Sequence, residues 1–167
     1  MEENIFVLLI LFIYMPCHFL EEAMGDFPKW MYKHWTPTHL SYGHWMANNI
    51  FIFYPMLVIS YLLYRFNPDT LIWMGGGILV WGIINCGEHI FYTIKDRKIC
   101  PGIITGCIYA VDAIWGMKML WNNPNTIRML ILSVIFGAFL FGMPCYLSKR
   151  IGKHFEKKFG MGTKENK

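Results

Sequence analysis

Two short patterns carry the chemistry of this chain. His18-Phe-Leu-Glu21-Glu22 and Asn85-Cys-Gly-Glu88-His89 each place polar groups at i, i+3 and i+4. On an α-helix these positions share a face, within an arc of about 100°. Imidazoles and carboxylates on facing helices are how helical bundles build one- and two-metal sites. The candidate ligands are His18, Glu21, Glu22, Glu88 and His89. Two histidines with one carboxylate suit zinc or non-haem iron, and more carboxylates suit a two-metal site. Glu22, Glu88 and Asp112 are the candidate catalytic acids and bases. His44, Asn48 and Asn85 would support the ligands or touch substrate. Asn49 points away from that face, towards a neighbouring helix.

The elements that must hold these groups are membrane helices. The chain has 167 residues, 55% apolar and only 16% charged. A soluble domain carries about 25% charge. Residues 5–20, 41–64 and 70–87 hold no charge. The stretches 102–121 and 126–147 hold only Asp112 with Lys118, and Arg128. Each approaches the ~20 residues that cross a bilayer. The expectation is an all-α bundle of five transmembrane helices near 4–24, 41–65, 70–94, 102–121 and 126–148. Residues 1–148 form one membrane domain and 149–167 a basic cytoplasmic tail. Pro28, Pro37, Pro68, Pro101 and Pro124 fall in loops or at helix starts. Asn67-Pro68-Asp69 and Asn122-Asn123-Pro124-Asn125 read as turns.

A cleaved leader fits the first span poorly. Its flank, Glu2-Glu3-Asn4, is acidic, and no small-x-small site follows the apolar run. The five cysteines form no C-x-x-C pair, which argues against a disulfide framework or a closed zinc site. The net charge of +4 argues against nucleic acid as a partner.

Lysines and arginines set the orientation. With the N-terminus outside, the cytoplasmic loops and tail hold twelve of the 15, and the other side keeps Arg65, Lys118 and Arg128. This is an N-out, C-in protein of the prokaryotic cytoplasmic membrane. Residues 27–40 mix Trp30, Tyr32 and Trp35 with Lys29, Lys33 and His34, a composition suited to the membrane interface. The tail suits either anionic headgroups or plain solvation.

Depth agrees with spacing. The first and third spans end on the cytoplasmic side, where the second begins. His18, Glu21, Glu88, His89, His44 and Asn48 then lie roughly 5–10 Å inside that face, and Asp112 about 15 Å. Ionisable groups in a span are expensive and usually functional. Blander readings exist for some. Glu21 and Glu22 could face water at a helix end, His44 could snorkel, and Asn48 and Asn85 could be interhelical glue. Gly75-Gly76-Gly77 and the Gly102/Gly106 pair would let helices approach closely.

The chain resembles the HXXEE family of small bacterial and archaeal membrane proteins, named for residues that here are His18, Glu21 and Glu22. A second block resembles it too. It comprises Asn85, His89, the basic stretch Lys95–Lys98 and the helix start Pro101-Gly102-Ile103-Ile104-Thr105-Gly106. The resemblance covers roughly residues 14–115. The usual Asn-Pro-Gly reads Cys100-Pro101-Gly102 here. The resemblance implies a site but no settled activity.

Four functions follow from these residues. The leading one is a metal-dependent membrane enzyme that hydrolyses or otherwise modifies a lipid-like or small amphipathic substrate with metal-activated water. The second is a metal-free acid–base enzyme such as a lipid isomerase, by analogy with sterol isomerases of five-helix architecture. The third is a proton- or ion-coupled transporter, disfavoured by the absence of internal repeats and of a midplane site. The fourth is a membrane interaction protein. Membrane lipids are the expected surroundings, and a homo-oligomer is compatible with the sequence.

Overall fold

The computed structural model describes residues 3–34, 42–120 and 126–159. The turn at 122–125, Trp35, Pro37 and the tail beyond 159 lie outside the described residues. The described residues are helical, with no strand among them. The first stretch is α1 (Glu3–Ile13), a π-helical turn (Tyr14–His18) and α2 (Phe19–Met24). A short α3 (Phe27–His34) follows, in the segment read as an interfacial loop. The second stretch is α4 (Tyr42–Asn48), a π-helical turn (Asn49–Phe53) and α5 (Tyr54–Phe66). Then come α6 (Ile72–Asp96), α7 (Ile103–Leu120) and α8 (Thr126–Phe159). α8 carries helix past residue 148 into the basic tail.

Three stretches are long and apolar enough to cross a membrane: Ile5–Met24, Tyr42–Phe66 and Ile127–Ile151. Their outer faces are apolar. Phe12, Phe66, Ile127 and Ile135 are all exposed. An aqueous protein would bury such side chains, whereas lipid solvates them. The chain is therefore a membrane protein by its helices.

α6 is the centre. It packs against α1, α5, α7 and α8. Ile78, Leu79 and Trp81 of α6 are buried with Val7 and Ile10 of α1, Leu57 of α5 and Tyr109 of α7. Small residues set the α6–α8 spacing. A Cβ on Gly137 would stand 2.6 Å from Val80 Cγ1 and 2.8 Å from the Gly77 carbonyl oxygen.

Pro16, Pro55 and Pro144 lie within helical stretches, unlike the five prolines that punctuate loops. A helical proline clashes with the carbonyl four residues back. Pro16 sits inside the first π-turn, and Pro55 follows the second by two residues. A wider turn relieves that clash, which is why both helices bulge where they do.

Candidate metal site and its cavity

The ends of α2 and α6 and the start of α7 meet at one pole of the bundle. There the carboxylate of Glu22 faces two imidazoles. Glu22 Oε1 lies 3.4 Å from His18 Nε2 and 3.7 Å from His89 Nε2. One ligand atom from each of the three residues lies within 4.8 Å of the others. All three are buried, with His18 and His89 each 1% exposed. His18 and Glu22 stand at i, i+4 on the first helical stretch, and His89 arrives from α6.

The far nitrogens of both rings are fixed. Thr105 donates its hydroxyl proton to Glu21 Oε2 at 2.6 Å. Its oxygen must then accept from His18 Nδ1, also at 2.6 Å. This relay places the ring proton on Nδ1 and leaves the Nε2 lone pair aimed at Glu22. Glu21 itself accepts from the backbone N–H groups of Ile104 (3.0 Å) and Thr105 (2.9 Å) at the start of α7. A carboxylate at a helix N-terminus satisfies amides that have no partner within the helix.

His89 Nδ1 lies 3.2 Å from Cys100 Sγ. Burial, reinforced by the carboxylates of Glu88 and Glu22, pushes the Cys100 thiol up from its ordinary value. The thiol therefore stays protonated and donates to the Pro101 carbonyl at 3.5 Å. Its sulfur accepts from His89 Nδ1–H, so the His89 Nε2 lone pair also faces Glu22. Neither Nε2 has a hydrogen-bond partner among the described residues.

Three electron-pair donors thus converge with no donated proton between them. Such an arrangement is repulsive unless a cation sits there. Ligands about 2.1 Å from a tetrahedral ion stand about 3.4 Å apart. The separations of 3.4 and 3.7 Å match that spacing. The buried group of His18, Glu22 and His89 can hold a metal ion.

A cavity of about 40 Å³ opens beside it. His18 and Glu22 line it, and so do Asn48, Asn85 and Glu88. Tyr14, Trp45, Trp81 and Phe141 supply apolar wall. The two π-turns flank it. The Tyr14 hydroxyl donates to Asn49 Oδ1 across them, and Asn49 Nδ2 donates to the Trp45 carbonyl at 2.9 Å.

The candidate residues sort as follows. His18, Glu22 and His89 come together. Asn48, Asn85 and Glu88 share their cavity. Glu21 is engaged by Thr105 and Ile104, away from the three ligand atoms. Asp112 is buried on α7 but does not line the cavity, and neither does half-buried His44. The spacing arguments missed Thr105, Cys100 and Gly102. The Pro101–Gly106 block pointed to that segment without indicating its chemistry.

A family model described as a protein of unknown function with an HXXEE motif matches residues 9–116. Neither the curated proteins nor the solved structures contain a match to the chain.

Proposed function

We propose that this chain, which belongs to the HXXEE-motif family of unknown function, is an integral membrane enzyme that uses a divalent ion held by His18, Glu22 and His89. The observation that carries the reading is the pair of unprotonated Nε2 atoms facing one carboxylate, each ring anchored from behind. An ion there would supply Lewis acidity towards a carbonyl or phosphoryl oxygen and acidify water. Zinc and non-haem iron both suit two histidines and a carboxylate. The favoured reaction is hydrolysis of a lipid-like substrate.

The chain's own groups have distinct tasks. Thr105 and Glu21 hold His18 in one tautomer. Cys100 does the same for His89. Glu88, in the cavity wall, takes the proton from attacking water. Asn48 and Asn85 orient the substrate. Wall residues Phe27, Trp45 and Trp81 exclude bulk water, which strengthens each of these interactions.

Five spans with the N-terminus outside complete the reading. α6 and α7 join the three apolar stretches because helices packed on all sides need little lipid-facing surface. The 12:3 division of basic residues supports the orientation and places the site at the cytoplasmic end of the bundle.

The test is the metal content of detergent-purified protein. The expected result is one zinc or iron per site, lost in His18→Ala and His89→Ala. A folded, metal-free wild-type protein that takes up neither ion would overturn the metal reading and favour acid–base chemistry by Glu22 and Glu88.

A further inference from the structure

The cavity beside His18 and Glu22 has an unusual polar balance. Its charged lining consists of the carboxylates of Glu22 and Glu88, and no lysine or arginine lines it among the described residues. An anionic head group entering it would meet like charge in a low-dielectric setting with no cation to pair with. Asn85 is 7% exposed, and its Oδ1 has no hydrogen-bond partner among the described residues. Asn48 Oδ1, across the same cavity, is likewise buried and without a partner there. A buried, unsatisfied amide oxygen costs about 1–3 kcal/mol. Two in one cavity amount to a built acceptor site that a ligand's donor would complete.

Size narrows the class further. A water needs roughly 10–15 Å³ of such space, so about 40 Å³ admits a head group of two or three heavy atoms. The surrounding wall is aromatic and apolar, from Phe27, Trp45, Trp81 and Phe141.

We infer that the Asn48–Asn85 cavity selects a small, uncharged hydrogen-bond-donor head, a primary hydroxyl or amide on a slim apolar chain, and rejects carboxylates and phosphates. The inference rests on the proposed enzyme reading for its role, and on the cavity lining alone for its binding. It gives the enzyme a neutral amphiphile as substrate.

Tryptophan quenching by brominated probes tests this, because Trp45 and Trp81 line the cavity. The probes are 6-bromohexanol, 6-bromohexanoate and 1-bromohexane, matched in chain and different in head. The full-length protein in detergent is titrated before and after treatment with a chelator. The expected result is saturable quenching by the alcohol, at least tenfold tighter than by either other probe, and weakened about tenfold in Asn85→Leu. Asn85→Asp, which keeps the shape and adds a third carboxylate, should retain alcohol quenching and weaken the carboxylate further. Equal quenching by all three probes, or tighter binding of the carboxylate, would overturn the inference. Chelator treatment separates the two claims. Selective alcohol binding that survives it in a protein lacking metal would sink the metal reading and keep this one. Metal present with no head-group preference would do the reverse.

Discussion

Gly102 stands directly against the imidazole of His89. A Cβ built on Gly102 would lie 2.5 Å from His89 Cε1 and 2.9 Å from His18 Cε1. The backbone there has φ +93°, a region that side chains rarely enter. Both rings are therefore packed against a bare backbone at the turn into α7. Gly102→Ala should cost roughly 1–2 kcal/mol from the backbone alone, and should displace one imidazole besides. Metal content should fall well below stoichiometric. Gly142→Ala is the control. No atom lies within 4 Å of its added methyl, so a helix-interior alanine should leave stability equal or up to about 1 kcal/mol higher. Thermal unfolding and metal analysis of both variants check this.

The Glu21–Thr105–His18 relay predicts a graded pair of variants. Thr105→Val keeps the shape but removes the acceptor for His18 Nδ1–H. Loss of such a supporting partner typically costs 10–100-fold in metal affinity. Thr105→Ser keeps the hydroxyl and should stay within a few-fold of wild type. Chelator competition reads both. Equal affinities in the two variants would show that the relay does not hold the ring.

The carboxylates should separate cleanly. Glu22→Gln removes the charged ligand and should abolish stoichiometric metal binding. Asp112→Asn should leave metal content unchanged, because Asp112 lies off the cavity. Loss of metal in both variants at retained fold would mean that the site extends further along α7 than its lining indicates.

Outside the proposed spans, α3 is tied to the end of α6. His34 Nε2 and Lys33 Nζ reach Asp96 Oδ2 at 2.6 and 3.2 Å. Partial burial alone would raise the Asp96 carboxyl, but the hydrogen bonds from His34 and Lys33 outweigh it and hold it below its ordinary value. A depressed acid stabilises the fold above its unfolded pKa of about 3.9. That stability is lost as pH falls through the folded value. Wild type should therefore melt higher than Asp96→Asn at pH 6. The gap should close progressively below about pH 4. A gap that persists at pH 2 would remove the carboxylate as its cause.

Much of this site was readable from spacing, and the reasons for the remainder are specific. His18 and Glu22 met because i, i+4 is a contact on one helix. His89 joined them because antiparallel spans returned it to the same pole. Glu21 obeyed the same rule and left the site, since i+3 and i+4 diverge by about 100° and its side was claimed by the start of α7. Thr105 and Cys100 were hidden because their contacts cross between helices, with 87 residues separating His18 from Thr105. Spacing within one segment carries no information on such lateral packing. The short α3 lay unseen in a segment whose aromatic-basic mixture suits helix and interfacial loop equally.

The π-turn at Tyr14–His18 makes the motif depend on phase as well as on letters. A π-turn stores one residue more than an α-turn. A chain that lost Cys17 alone would keep every residue of the His-x-x-Glu-Glu string. Straightened to α-helix, it would swing His18 and Glu22 by about 100° relative to Val7 and Ile10, which anchor α1 in the core. The lone pairs would then face away from His89. Two homologues with identical motifs and a one-residue length difference upstream would thus differ in whether they own a site at all, and gap placement in this turn is a functional character in its own right.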